Sequence, residues 1–293
     1  MIQQNNPPKI SIGMPVYNGE RYIREALDSL LKQSFRDFEL IISDNASTDN
    51  TNTICLEYAA KDSRIKYFRQ DKNFGAGANF MFVLNHAIAE YFMWAASDDY
   101  WSDNWLEVLL GDFKPDTSIA FGHVVTIDEN SSIIRKHKYK QFSKIKLLRL
   151  VQLFLSEEND YKANFIYGLY NRTMLLKFHF GETYGADVHF VFEIVHHGRL
   201  STNPNALFFK RFLATSAANT APEAYSSKFR KLFLLDYLSY YAAYLRISES
   251  YLLKIILFIL LPIKYLKSIM FKCVAISLRV FGSASFACKS GKA

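Results

Sequence analysis

Strand-like and helix-like segments alternate through the first hundred residues, and this alternation limits the possible folds more than any other feature. KISIGMPVY is rich in β-branched residues, and apolar residues then recur at helical spacing in NGERYIREALDSLLKQ. FELIIS, RIKYFRQ and EYFMWAAS are further strand signals, separated by the helix-like TNTICLEYAAK and NFGAGANFMFVLNHAIA. The pattern predicts an α/β fold with an open, mostly parallel sheet sandwiched by helices.

The later sequence continues the pattern less regularly. SIAFGHVVTID and ALFFKRFLA predict strands, whereas KIKLLRLVQLFL and GADVHFVFEIVHHG predict helices. From about Ala224 onward the sequence predicts helix. We therefore predict an α/β domain over residues 1–222 and a helical, basic and apolar extension over residues 223–293.

Charge is distributed unevenly along the chain. The first 198 residues carry 21 Lys and Arg against 25 Asp and Glu, whereas the rest carries 14 against 3. Half of all residues are hydrophobic, which excludes a disordered chain. Because the late cations lie among apolar residues, they indicate a membrane surface rather than nucleic acid as partner. A solvated basic face is the alternative.

The apolar tail YLLKIILFILLPIKYLKSIMFKCVAISLRVFG is interrupted by charges too often to span a bilayer. Its longest uncharged run covers nine residues, 255–263, and a spanning helix needs about 20. On a helix, Lys254, Lys264, Lys272 and Arg279 share one sector. This predicts an interfacial helix with its lysines toward anionic headgroups. The alternative is a helical pair packed on the first domain or on a second subunit.

Polar residues are concentrated after the predicted strands. In an open α/β sheet, ligands bind outside the carboxyl ends of the strands. The residues at these ends are Pro15, Tyr17, Asn18 and Glu20 for the first strand, Asp44 and Asn45 for the second, Asn73, Gly75 and Gly77 for the third, and Asp98 and Asp99 for the fourth.

Asp98 and Asp99 follow an apolar run directly, and two adjacent carboxylates need a nearby cation if they are buried. Mg²⁺ or Mn²⁺, held by one or two carboxylates and substrate phosphates, would satisfy that need. The alternatives are a cap on the helix that begins near Asn104 or a solvated turn.

Four motifs in order resemble the family 2 glycosyltransferases, inverting enzymes with the GT-A fold. They are PVYNGERYI, DNASTDNT, NFGAGANF and ASDDYW, and the resemblance is strong over residues 10–101. It continues less sharply to about residue 216. It implies a GT-A type sheet and a UDP-, GDP- or dTDP-linked sugar as donor.

The resemblance also implies residue roles. Asp98 and Asp99 match the element that holds the ribose and the metal, with Asp99 favoured for the metal and Asp98 for the ribose, and Asp187 matches the catalytic base. Arg211 could reach the diphosphate or be an ordinary surface arginine. The remaining matches, all on the nucleotide side, are Pro15, Tyr17 and Glu20 near the base, Asp44 on the base or ribose, and Asn73, Gly75 and Asn79 flanking the nucleotide.

The chain departs from the family pattern at two positions. Ala96 stands where the metal element commonly has another Asp, and Ala186 stands where Glu often precedes the base. The processive polysaccharide synthases of this family carry Gln-x-x-Arg-Trp after the base. No such sequence follows Asp187, which favours addition of one sugar over polymer extension. The predicted function is metal-assisted sugar transfer to a hydroxyl of a glycan or lipid-linked acceptor. The alternative is an inactive, membrane-associated sugar-nucleotide-binding protein of the same fold.

The expected location is the cytoplasm, peripheral on the inner face of the membrane. The first residues, MIQQNNPPK, have no apolar core of a signal peptide. The three cysteines have no spacing typical of disulfide frameworks or zinc sites, which suits a reducing compartment.

Overall fold

In the residues that it describes, a computed structural model shows nine strands in one sheet flanked by helices. The structure describes residues 6–139, 141–156, 162–178, 185–213 and 242–266. The strands are β1 (Ile10–Val16), β2 (Phe38–Asp44), β3 (Ile65–Arg69), β4 (Tyr91–Trp94), β5 (Tyr100–Trp101), β6 (Thr117–Ile127), β7 (Ile133–Lys136), β8 (Leu169–Asn171) and β9 (Arg199–Arg211). The helices are α1 (Ile23–Leu31), α2 (Thr51–Lys61), α3 (Ala76–His86), α4 (Trp105–Asp112), α5 (Lys146–Leu155), α6 (Arg172–Leu175), α7 (Ala186–Val195), α8 (242–247) and α9 (251–266). A 3-10 helix covers Lys162–Tyr167.

The first half of the sheet confirms the predicted alternation. Strands β3, β2, β1 and β4 are neighbours in that order and all parallel. Every residue of β2 is buried, as expected for a strand covered on both faces. Of the five apolar positions at helical spacing, helix α1 buries Ile23, Ala26, Leu27 and Leu30, and Leu31 is partly buried.

The second half of the sheet is mixed. Strand β8 lies antiparallel between β4 and β6, and β9 runs parallel to β6. Strands β5 and β7 pair antiparallel with β9 and β6. The fold class is confirmed as an open sheet flanked by helices, but β5 and β8 have only two and three residues and are too short for sequence periodicity to reveal.

The C-terminal helices pack on α5 and α7. Tyr244 of α8 is buried against Phe154, His189 and Phe192. On α9, Lys264 is buried too and donates a hydrogen bond to the Ser156 carbonyl. The prediction of C-terminal helices is confirmed. Of the cations in the predicted sector, Lys264 faces the protein, contrary to the expected orientation, because Leu253 and Leu257 are buried on the same side of α9, whereas Lys254 is partly exposed.

Part of the tail prediction lies outside the described residues, including the boundary between residues 222 and 223 and the cations Lys267, Lys272 and Arg279. Among the helices that the structure does describe, none combines the length and apolarity needed to cross a membrane.

Gly122 of β6 packs against both β9 and α4, which leads to a stability prediction. A Cβ there would be 2.3 Å from the Ala206 carbonyl oxygen and 2.3 Å from Cζ3 of Trp105. Because neither the backbone nor the buried indole can yield, we expect Gly122→Ala to lower the free energy of unfolding by about 2–3 kcal/mol. Denaturant unfolding would measure it.

The matched control is Gly111→Ala on α4, where an added Cβ meets nothing within 4 Å. It should raise the free energy of unfolding by about 0.5–1 kcal/mol, because alanine restricts the unfolded chain. Equal effects of the two substitutions would contradict the packing described here.

Candidate functional site

The loop after β1 is tied to the start of α2. The Glu20 carboxylate accepts hydrogen bonds from Asn50 N at 2.9 Å and Asn50 Nδ2 at 2.8 Å, which hold the pKa of Glu20 below its usual value. Asn18 N donates to Ser47 Oγ at 2.9 Å. Tyr17 is exposed beside them, and Pro15 lies in β1 opposite Ser43 of β2. Glu20 therefore joins two loops at the sheet edge.

Asp44 ends β2 with its carboxylate fully buried. Oδ1 accepts a hydrogen bond from Ser47 N at 2.8 Å, and Oδ2 accepts one from the Tyr67 hydroxyl at 2.8 Å. Burial and the hydrogen bond to Asp44 raise the pKa of Tyr67. Arg69 Nη1 lies 3.8 Å from Oδ2. The carboxylate is thus satisfied by protein donors, and it fixes the loop between β2 and α2.

Asn45 pins the loop before α3 to the end of β2. Asn45 Nδ2 donates to Asn73 Oδ1 at 2.8 Å, and Asn45 Oδ1 accepts from Phe74 N at 2.9 Å. Asn73 Oδ1 also accepts from Gly75 N at 2.9 Å. Gly75 has φ +89°, a region that favours glycine, so this residue sets the entry into α3. Asn73 and Gly75 lie in the loop between β3 and α3, and their contact with a nucleotide stays a prediction; the strand-end position of Asn45 was the signal for its role.

Asn79 is buried and connects α3 to the strand ends. Its Oδ1 accepts from Ser43 Oγ at 2.6 Å, and its Nδ2 donates to the Ser43 carbonyl at 3.0 Å. A cavity of about 250 Å³ opens next to it. The cavity is lined by Asn45, Gln70, Phe74, Ala78, Asn79 and Phe82.

Asp99 is 1 % exposed, and its carboxylate is bonded on both oxygens. Oδ2 accepts from Lys210 Nζ at 2.9 Å, and Oδ1 accepts from Arg211 N at 2.8 Å. Burial raises the pKa of Asp99 to about 6, although Lys210 opposes the shift. Asp98 is only partly buried, and no residue that the structure describes donates a hydrogen bond to its carboxylate. The two carboxylates therefore differ: both oxygens of Asp99 are bonded to protein groups, whereas Asp98 is available to a ligand.

Arg211 is not a surface arginine, and its guanidinium is not exposed to a ligand, since its side chain is 1 % exposed. Nε donates to the Asp98 carbonyl at 2.9 Å, Nη1 donates to the Asp128 carbonyl at 3.0 Å, and Nη2 pairs with Glu25. The guanidinium carbon lies 4.3 Å from the Tyr22 ring centroid. Arg211 thus links the turn at Asp98 to α1 and to the loop after β6.

Tyr167 is influenced by the charges of three carboxylates. Burial raises its pKa, Lys210 opposes that shift, and the charges of Asp99, Asp98 and Asp187 add to it. Lys210 Nζ lies 5.5 Å from the Tyr167 ring centroid. Asp187 stands in the first turn of α7, where Oδ1 accepts from Val188 N at 2.8 Å. The start of α7 and the turn after β4 therefore share one electrostatic environment.

Sequence reasoning missed Tyr167 and Lys210 as members of this site. Their partners lie far away in sequence, and Lys210 is separated from Asp99 by 111 positions. The available signal was the place of Lys210 beside Arg211 at the end of a predicted strand.

Within the described ranges, no group of three or more His, Cys, Asp or Glu side chains could hold a metal ion alone. A single available carboxylate nevertheless suits Mg²⁺ or Mn²⁺, because these ions are commonly held by one or two carboxylates and complete their shell with phosphate oxygens and water. Asp98 fits that arrangement.

Comparison with known proteins gives consistent matches. The family model described as Glycosyl transferase family 2 matches residues 11–170. An uncharacterized glycosyltransferase of Rickettsia typhi is 39% identical over 107 residues, which cover 36% of this chain and 32% of that protein. Glycosyltransferase GlyG of Streptococcus pneumoniae is 27% identical over 156 residues, 53% of this chain and 52% of GlyG. The chain thus spans about a third to a half of these relatives.

Solved structures show the same fold. TarS 1-349 of S. aureus in complex with UDP-GlcNAc has a TM-score of 0.62 at 22% identity, covering 82% of this chain and 65% of that one. Mannosyltransferase PcManGT from Pyrobaculum calidifontis, in complex with GDP-Man and Mn2+, has a TM-score of 0.53 at 16% identity, covering 76% and 66%. Both comparisons show that the backbone fold is similar.

Proposed function

Because the chain belongs to glycosyl transferase family 2, we propose that it transfers one sugar from a nucleotide-sugar donor to an acceptor hydroxyl, with inversion. The observation that carries this proposal is that the charges of Asp98 and Asp187 both act on Tyr167, whose ring centroid lies 5.5 Å from Lys210 Nζ. In this proposal Asp98 lies beside the donor's diphosphate and Asp187 lies beside the acceptor hydroxyl. The reaction needs one carboxylate to hold the metal ion and another to take the proton from the acceptor.

The donor's nucleoside lies at the ends of β1, β2 and β3. The cavity beside Asn79 combines polar side chains with Phe74 and Phe82, and it is large enough for a base. Asn45 and Asn73 hold the rim in place. The donor is a UDP-, GDP- or dTDP-linked sugar, a proposal supported by the UDP-GlcNAc and GDP-Man named for the solved structures.

Asp98 would hold Mg²⁺ or Mn²⁺ together with the diphosphate. This revises the preference for Asp99, because both Asp99 oxygens are bonded to Lys210 and Arg211. The ion, when bound, supplies positive charge for the leaving diphosphate. Mn2+ in the PcManGT complex supports a divalent ion here. Arg211 is a positioning residue in this scheme, since its guanidinium holds the Asp98 carbonyl.

Asp187 acts as the general base. It takes the proton from the acceptor hydroxyl while that oxygen bonds to the sugar carbon, and the bond to the diphosphate breaks with its electron pair going to the phosphate oxygen. The amides at the start of α7 favour the ionised carboxylate. Attack from the side opposite the diphosphate gives inversion.

The acceptor is a glycan or a lipid-linked glycan, and the protein works peripherally on the cytoplasmic face of a membrane. The excess of cations after residue 198 supports this location, because anionic lipids attract basic segments. The alternative of an inactive sugar-nucleotide-binding protein has no support from the site, which retains both Asp98 and Asp187 despite Ala96 and Ala186.

Release of nucleoside diphosphate tests the function. The protein is incubated with Mn²⁺ or Mg²⁺, cell extract as acceptor source and, in separate reactions, UDP-, GDP- and dTDP-linked sugars. We expect release from one donor class, dependent on both metal and acceptor. Binding of a donor without release under any condition would establish the inactive protein instead.

A further inference from the structure

Helix α9 presents a face made only of apolar residues to the solvent. Seven large side chains on it are 50–83% exposed, and Pro262 is exposed among them. We call this face the apolar stripe; its members are Tyr251, Leu252, Ile255, Phe258, Ile259, Pro262, Ile263 and Leu266. At about 100° per residue these positions fall within about 140° of arc, so they form one continuous surface.

The opposite face of α9 is occupied by the protein itself. Leu253, Leu257 and Lys264 are buried there, and Lys264 is bonded to Ser156 at the end of α5. The helix is therefore fixed in rotation with the apolar stripe outward. The described part of α9, residues 251–266, is about 24 Å long at about 1.5 Å per residue, and the docked face lets the helix lie flat along the protein surface.

The charge of this part of the sequence favours one partner for the apolar stripe. From residue 242 to the end, the sequence has eight Lys and Arg and one acidic residue, Glu249. Arg246 is exposed, and Lys254 lies 5.7 Å from the Tyr251 ring centroid. A two-fold contact between copies would bring like charges together, whereas an anionic lipid surface would attract them.

We propose that the apolar stripe inserts into the interface of an anionic bilayer, with α9 parallel to the membrane plane. Tyr251 and Phe258 then lie among the headgroups, and the aliphatic side chains reach the acyl boundary. This deepens the peripheral location proposed above and revises the orientation expected from the sequence: apolar side chains enter the lipid, and Lys264 faces the protein. Lys264 helps to dock α9 on the end of α5.

Vesicle flotation of the full chain tests the proposal. The probe is phosphatidylcholine vesicles containing about 30 mol% phosphatidylglycerol. The variant is Ile255→Gln with Ile259→Gln, and the matched control is Ile133→Gln with Ile134→Gln on β7, where the two side chains are 56% and 57% exposed. We expect the α9 variant to lower the partition coefficient about 100-fold and the control to leave it unchanged.

Several outcomes would overturn the proposal. The first is a wild-type protein that does not float, and the second is equal flotation of both double variants. A third is a wild-type dimer that the α9 variant converts to a monomer while neither binds vesicles, which would make this face a subunit contact. A fourth is a lowered unfolding midpoint of the α9 variant without vesicle binding, which would make the stripe a docking face for another part of this chain.

Diphosphate release without vesicles keeps the two proposals apart. The α9 variant should release nucleoside diphosphate at the wild-type rate when a soluble acceptor is supplied. Failure of the membrane proposal would leave that rate unchanged, and failure of the proposed function would leave flotation unchanged.

Discussion

Asp187→Asn should lower kcat about 100- to 10,000-fold while the affinity for nucleoside diphosphate stays at the wild-type value. The amide retains an oxygen that can accept from Val188 N, so α7 still begins as in the wild type. It cannot take a proton from the acceptor hydroxyl, and general-base catalysis contributes about that factor to a rate. Initial rates of diphosphate release and calorimetric titration with the diphosphate measure the two quantities.

The matched control for this substitution is Asp37→Asn. Asp37 is exposed just before β2, at the sheet edge opposite the site, so its charge is removed with no contact to substrate. We expect wild-type kinetics. If Asp187→Asn weakened diphosphate binding as much as turnover, the carboxylate would belong to the donor pocket and not to the acceptor side.

The sequence located the strand ends well but not the direction of their side chains. Asp44 follows from the strand pattern and Asn79 from the family resemblance, yet in the structure both are buried and bonded to Ser47, Tyr67 and Ser43. A polar residue at a strand end can contact a ligand or hold a loop, and both uses need the same residue types. Their donor-contact roles stay predictions.

Arg211 and Lys210 show a second limit of sequence reasoning. A strand pattern places their backbones but does not reveal partners that are more than 100 positions away, such as Asp98 and Asp99. Burial decides what a cation does: the enclosed guanidinium of Arg211 organises a turn, while the ammonium of Lys210 neutralises Asp99. Neither assignment could come from local propensity.

The contrast between Asp98 and Asp99 gives the last prediction. Asp98→Asn should raise the Mn²⁺ concentration for half-maximal activity at least about 10-fold and lower kcat/KM about 1,000-fold, because a neutral amide is a poor ligand for a hard cation. The free energy of unfolding should stay within about 0.5 kcal/mol of wild type, since the carboxylate is partly exposed and has no hydrogen bond among the described residues.

Asp99→Asn should show the opposite pattern. Replacing the buried carboxylate leaves Lys210 without its counter-charge, and we expect the free energy of unfolding to fall by about 2 kcal/mol, less than for a fully buried pair because the Lys210 side chain is 25% exposed. The Mn²⁺ requirement should not move. A shift in that requirement for Asp99→Asn and none for Asp98→Asn would restore Asp99 as the metal ligand. Manganese titrations of both variants, paired with denaturant unfolding, therefore separate the carboxylate that holds the ion from the one that holds the turn.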